Sequence, residues 1–173
     1  MLPHLTFVLG GASSGKSAFA EKLVFQSKAG RVYIATSQVF DDEMRKKVDA
    51  HLTMRGDGWH TIECPLDAVT ALRGIKSGEV VLFDCATMWL TNHMLADHNI
   101  DAQTDALLSA LAACKGRVVM VSNEVGMGIV PDNKLARQFR DAQGKLNQRL
   151  AAASDLAVFV VAGLPMTLKG QLP

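Results

Sequence analysis

The stretch Leu5-Thr6-Phe7-Val8-Leu9-Gly10-Gly11-Ala12-Ser13-Ser14-Gly15-Lys16-Ser17 decides how the rest of this chain is read. Its first five residues are apolar or β-branched and predict a short buried strand. The next eight, Gly10, Gly11, Ala12, Ser13, Ser14, Gly15, Lys16 and Ser17, fit G-x-x-x-x-G-K-[ST], and a helix is expected from Ser17 to about Ser27. Glycines let the backbone wrap so that successive N–H groups point inward, and the helix start adds partial positive charge. Lys16 can then reach the outer phosphates of a nucleoside triphosphate, and the Ser17 hydroxyl can ligate magnesium. A Gly/Ser-rich turn that matched by accident would lack the flanking strand and helix in register.

Outward from this loop, short apolar runs recur at Val32 to Ala35, Val80 to Phe83, Val118 to Val121 and Leu156 to Val161. Each reads as a buried parallel strand. Leu135, Phe139, Ala142, Leu146, Leu150 and Ala153 follow a helical period between the last two runs. Strands alternating with helices predict an α/β doubly wound, mostly parallel sheet. No repeat, low-complexity tract or Pro/Gly-rich linker interrupts residues 1–173, so one catalytic domain is expected.

Bulk composition narrows the partners. With 18 basic and 17 acidic residues the net charge is +1, which offers no electrostatic footprint for nucleic acid or an anionic membrane surface. A small-molecule partner is expected instead. Cys64, Cys85 and Cys114 stand singly, without metal-ligand spacing, and read as structural thiols in a reducing cytoplasm. The N-terminal apolar run is too short for a signal peptide or a transmembrane segment.

Further candidates lie at strand ends. Asp84, directly after Val80-Val81-Leu82-Phe83, stands where a magnesium-holding acid is needed, although a lone Asp can also cap a turn. Ser122-Asn123-Glu124 follows another strand, and ligands of open α/β sheets bind beyond the strands' carboxyl ends. The segment Asp41 to Arg55 predicts a helix with Met44, Val48 and Leu52 on one stripe. At about 100° per residue, His51 and Arg55 project within about 40° of each other on that stripe. Such a histidine can be a surface ring resting on apolar neighbours or a functional group. His4, His60, His93 and His98 lack ligand spacing, and Trp59 and Trp89 read as packing aromatics.

Three segments taken together carry a resemblance: the loop GGASSGKS, the run YIATSQVFDDEMRKKVDAH from Tyr33 to His51, and NEVGMGIVPDNKLARQFRDAQGKLNQRLA from Asn123 to Ala151. They are similar, in order and spacing, to the bifunctional adenosylcobinamide kinase/adenosylcobinamide-phosphate guanylyltransferases of cobalamin biosynthesis. The resemblance implies a RecA-like P-loop fold, commonly a homotrimer, with ATP or GTP and Mg2+ for phosphorylation of adenosylcobinamide. GTP then donates GMP to the resulting phosphate through a covalent phosphoramidate on a histidine, whose position is matched here by His51. It also implies nucleotide contacts from Ala35, Thr36 and Ser37, from Leu52, Thr53, Met54 and Arg55, and from Glu63 and Asp84. The family often has an arginine where this chain has Ser13, which leaves the nucleotide preference of the kinase step open.

A neutral imidazole is a reasonable nucleophile near neutral pH. Lys16, Ser17, magnesium and Arg55 would neutralise the departing pyrophosphate, and Asp84 or Glu124 would orient or deprotonate the hydroxyl in the kinase step. Two rivals fit the residues less fully. One is a simple P-loop small-molecule kinase with no covalent step. The other is a nucleotide-sensing module that signals to a partner protein.

Overall fold

Near-continuous burial along the central strands builds a sheet with two apolar faces. The computed structural model describes residues 1–38 and 58–173. The strands are β1 (Leu5–Gly10), β2 (Gly30–Ala35), β3 (Trp59–Glu63), β4 (Glu79–Asp84), β5 (Arg117–Asn123), β6 (Leu156–Val161) and β7 (Leu164–Lys169). They lie in the order β3-β2-β4-β5-β1-β6-β7. All pairings are parallel except that of β7, which folds back antiparallel on β6.

The helices are α1 (Lys16–Gln26), α2 (Ala68–Arg73), α3 (Ala86–Leu95), α4 (Ile100–Ala113) and α5 (Lys134–Ala153). Successive strand side chains point to opposite faces. Val8, Leu82, Val119, Val121, Val158 and Val160 therefore meet Ala20, Leu23 and Val24 of α1 on one face. Phe7, Val81, Phe83, Val118 and Met120 meet Leu72, Trp89, Leu107, Leu111, Leu146 and Leu150 from the other helices on the opposite face. Burial on both sides explains why the central strands read as continuous apolar runs.

The five strands expected from apolar runs are present, and so is the long amphipathic helix that became α5. Two strands lay beyond that reading. Strand β3 mixes Trp59 and Ile62 with exposed His60, Thr61 and Glu63, and β7 is exposed throughout, so neither carries an unbroken apolar signal. Trp59 packs edge-on against Phe25 and Tyr33, and Trp89 is buried, so both tryptophans are packing residues as expected. The three cysteines are free and buried. Among the described residues no helix is long and apolar enough to cross a membrane.

Chain direction places the site. Strands β1 and β5 are neighbours, yet α1 leaves β1 over one face while α5 leaves β5 over the other. Divergence of that kind marks the carboxyl ends of β1 and β5 as the location where open α/β sheets bind ligands. The sheet must hold this edge rigid, and Phe83, fully buried one residue before Asp84, is central to it. Phe83→Ala is expected to cost about 3–5 kcal/mol. Urea denaturation checks this as a lowered midpoint with an unchanged slope.

Candidate active site

The loop between β1 and α1 is shaped by what its glycines make possible. A Cβ on Gly10 would come within 2.8 Å of the Val160 carbonyl oxygen, so only glycine lets β1 enter the turn beside β6. Gly15 has φ +89°, and a Cβ there would meet the Gly163 backbone at 3.0 Å. The Gly163 N–H donates to the Ser14 carbonyl at 2.8 Å, tying the loop to the β6–β7 turn. Ser13 also adopts positive φ, 54°.

Among the described residues no side chain caps the first turn of helix α1, and that turn carries no acidic residue. By contrast, Asp67, Cys85, Asn99 and Asn133 cap α2 to α5 with their side chains. The first N–H groups of α1 therefore keep their hydrogen-bonding capacity for an external acceptor, and an anionic phosphate suits that end of the helix dipole. Lys16 Nζ folds over the loop and donates to the Gly11 carbonyl at 3.0 Å. Burial holds its pKa below the ordinary lysine value, while the Asp84 and Cys85 side chains work against that shift. The Ser14 hydroxyl is buried and has no partner among the described residues.

Strand register brings the remaining candidates to one edge. Ala35, the last residue of β2, lies opposite both Glu63 of β3 and Asp84 of β4. Asn123 of β5 lies opposite Gly10, where the loop begins. Glu63 thus stands two strand spacings from Asp84, roughly 10 Å along the sheet edge, and its side chain is exposed. Asp84 is oriented by Tyr33, whose hydroxyl donates to Oδ2 at 2.9 Å. Ser17 and Asp84 are hard oxygen donors, the chemistry that Mg2+ accepts when phosphates complete its shell.

Thr36 is wholly buried and differently engaged. Its hydroxyl donates to the Cys85 carbonyl and accepts from the Cys85 N–H, both at 2.7 Å, and its own N–H donates to the Asp84 carbonyl at 3.1 Å. The Thr36 side chain therefore splices the ends of β2 and β4 and holds Asp84 in place. Asn92 of α3 donates to the carbonyls of Thr36 and Pro65, both at 2.8 Å, clasping the chain where it leaves β2 and where it returns after β3. Next to it His93 rests on the Trp89 ring and shares a 2.8 Å contact with His98. Burial lowers the His93 pKa, and its ring is a packing group, while His98 stays at the surface. Cys85, beside the site, is pushed up to about 12 by burial and is no nucleophile.

Under the β5 end lies a polar cluster of which sequence reading named only Ser122, expected there to face the site and found buried against α5. Ser122, Gln143 and Asn147 are buried and hydrogen-bonded to one another at 2.7–3.0 Å. The one local signal is that Gln143 and Asn147 interrupt the apolar face of α5; their partners on β5 lie 21 to 25 positions away and are brought to them only by the fold. Glu124 N–H donates to the Gly10 carbonyl at 3.0 Å, which keeps the segment after β5 against the phosphate loop. His51, Leu52, Thr53, Met54 and Arg55 lie outside the described residues.

Comparison with known proteins agrees with this geometry. RadB recombinase superposes with a TM-score of 0.53 at 16% identity, covering 91% of this chain and 74% of that one. An ATPase from a type III secretion system gives 0.58 at 11% identity, over 95% of this chain and 56% of that one. The fold is thus RecA-like. The bifunctional adenosylcobalamin biosynthesis protein CobP of Pseudomonas aeruginosa is 43% identical over 167 residues, covering 95% of this chain and 96% of that protein. The CobU proteins of Salmonella typhimurium and Escherichia coli, of the same description, are 39% and 40% identical, each over 95% of this chain and 99% of the relative. The profile described as Cobinamide kinase / cobinamide phosphate guanyltransferase matches residues 6–168, and the chain belongs to that family of enzymes.

Proposed function

We propose that this chain phosphorylates adenosylcobinamide with ATP or GTP, and then transfers GMP from GTP to the product through a covalent GMP adduct on His51. The observation that carries this reading is a family match over nearly the whole chain, on a molecule whose α1 presents an uncapped start behind a G-x-x-x-x-G-K-S loop. In the proposal, the whole chain acts as one catalytic unit.

In the kinase step the loop N–H groups and Lys16 hold the outer phosphates, and the acceptor hydroxyl attacks the γ-phosphorus as its bond to the β–γ bridging oxygen breaks and the nucleoside diphosphate leaves. Catalysis rests on positioning and charge stabilisation. Ser17 and Asp84 would hold Mg2+, which supplies charge neutralisation on the phosphates. With Asp84 given to the metal, Glu124 is the carboxylate left to take the hydroxyl proton. In the second reaction a neutral His51 nitrogen attacks the α-phosphorus of GTP and pyrophosphate departs toward Lys16 and Arg55. The phosphate of adenosylcobinamide phosphate then displaces His51, and the imidazole leaves neutral. Ala35, Ser37, Leu52, Thr53, Met54 and Glu63 complete the guanine-nucleotide contacts, and Thr36 acts by holding Asp84 through its splice to Cys85.

Assembly as a homotrimer belongs to the same reading. Exposed Met127, Ile129, Val130 and Leu135 supply apolar surface for it. Sedimentation equilibrium of the purified protein should return three times the chain mass, and a monomer would remove this element.

Incubated with magnesium and α-labelled GTP and then denatured, the wild type should retain acid-labile, base-stable label. His51→Ala should retain none, losing guanylyl transfer while keeping kinase activity. No label on a folded, GTP-binding wild type would favour a kinase without a covalent step. Lys16→Ala should depress both reactions at least ~100-fold, because each uses a triphosphate held by the same cation; a defect in only one would separate the two sites.

A further inference from the structure

Asn123 occupies a position that its neighbours hold from every side. Strand β5 lies between β1, which feeds the phosphate loop, and β4, which ends on Asp84. Val119 and Val121 pack on the α1 face of the sheet, as do Val80 and Leu82. By strand alternation Asn123, two residues past Val121, and Asp84, two past Leu82, continue that same face. In register, Asn123 stands opposite Gly10. Its side chain is therefore presented on the face where Lys16 and the start of α1 lie.

The backbone of Asn123 is pinned by two other side chains. Its N–H donates to Thr87 Oγ1 of α3 at 2.9 Å, and its carbonyl accepts from Asn147 Nδ2 of α5 at 3.1 Å. The side-chain amide of Asn123 enters neither bond. The orientation of Asn147 is itself determined. Its Oδ1 accepts from both Ser122 Oγ, at 2.7 Å, and Gln143 Nε2, at 2.9 Å, so Nδ2 must turn to the Asn123 carbonyl. Gln143 Nε2 also donates to Ser122 Oγ at 3.0 Å, closing a triangle whose members are all buried. Burying three amide or hydroxyl groups under a sheet edge costs free energy that apolar residues would not, and only well-made bonds offset it. Among the described residues the Gln143 Oε1 atom even finds no partner. Stability alone does not call for this arrangement at that edge.

We propose that Asn123 hydrogen-bonds the terminal phosphate of the bound triphosphate, and that Asn147, with Ser122, Gln143 and Thr87, is a positioning residue that holds Asn123 to that task. The proposal rests on the reading above only in that a triphosphate occupies the loop. It adds a discriminator between the triphosphate and the diphosphate left after transfer. An amide fits this role because it can donate to phosphate oxygen without bringing another negative charge.

The test compares dissociation constants for GDP and a non-hydrolysable GTP analogue by calorimetry with magnesium, and takes their ratio. Asn123→Ala should lower the ratio about 10-fold, in line with one lost hydrogen bond to a charged group. Asn147→Ala should lower it too, and the double variant should match Asn123→Ala alone. Thr87→Val, which removes the acceptor of the Asn123 N–H, should lower the ratio and Thr87→Ser should restore it, giving an independent reading if Asn147→Ala does not fold. An unchanged ratio in Asn123→Ala overturns the proposal. So does a double variant whose losses multiply, or an Asn147 or Thr87 variant that weakens both nucleotides equally, the mark of a merely structural role. No cobinamide enters the measurement, so failure of the kinase reading would show separately, as absence of phosphoryl transfer to cobinamide by the wild type.

Discussion

The start of α1 has to be left without a partner of its own. A helix end without a cap is ordinarily unfavourable, because its first N–H groups lose hydrogen bonds they had in water. Here that cost is localised behind a loop that only glycine at 10 and 15 permits, one residue because of the Val160 carbonyl and the other because of its positive φ. The remaining structure supports this exposed end. The β6–β7 turn grips the loop through Ser14, Glu124 bonds back to Gly10, and Lys16 lies across the Gly11 carbonyl.

From that constraint follows the arrangement of the sheet. The phosphate loop needs rigid neighbours that also bring chemistry, and parallel strands do both because all their carboxyl ends open at one edge. Register rather than sequence distance places Gly10, Asn123, Asp84, Ala35 and Glu63 along that edge. The helices on the face away from α1 then secure the edge from below. Thr36 and Asn92 hold the ends of β2 and β4, while Gln143 and Asn147 hold the end of β5. Thr36, Asn92, Ser122, Gln143 and Asn147 are buried polar side chains gathered where strand ends are held, and apart from Thr6 the buried residues of the strands below that edge are apolar.

The parts legible beforehand were those whose physics is local. A run such as Val80 to Phe83 reads as a strand because both its faces are covered, and α5 reads as a helix because one stripe is apolar. Strand β3 was hidden because only Trp59 and Ile62 of its five side chains are partly buried, and they stand three residues apart rather than two, so the segment shows neither an apolar run nor strict alternation. Strand β7 was hidden because it is an exposed edge. The assignment of Thr36 as a nucleotide contact came from resemblance alone; its hydroxyl is occupied by Cys85, forty-nine positions away.

By itself, then, the sequence determined the phosphate loop, since eight consecutive residues contain the turn, the cation, the hydroxyl and the helix start, and their relative positions follow from backbone geometry. It also determined the class of sheet, because the alternation of apolar runs and helical stripes leaves few ways to bury both. What the tertiary structure decided is which distant groups meet the loop. The Tyr33 hydroxyl reaches Asp84 across 51 positions, and the carbonyl of Asn123 meets Asn147 across 24. Contacts of that kind depend on strand order, register and the face each helix covers, and those are properties of the packed sheet that no local stretch of chain contains.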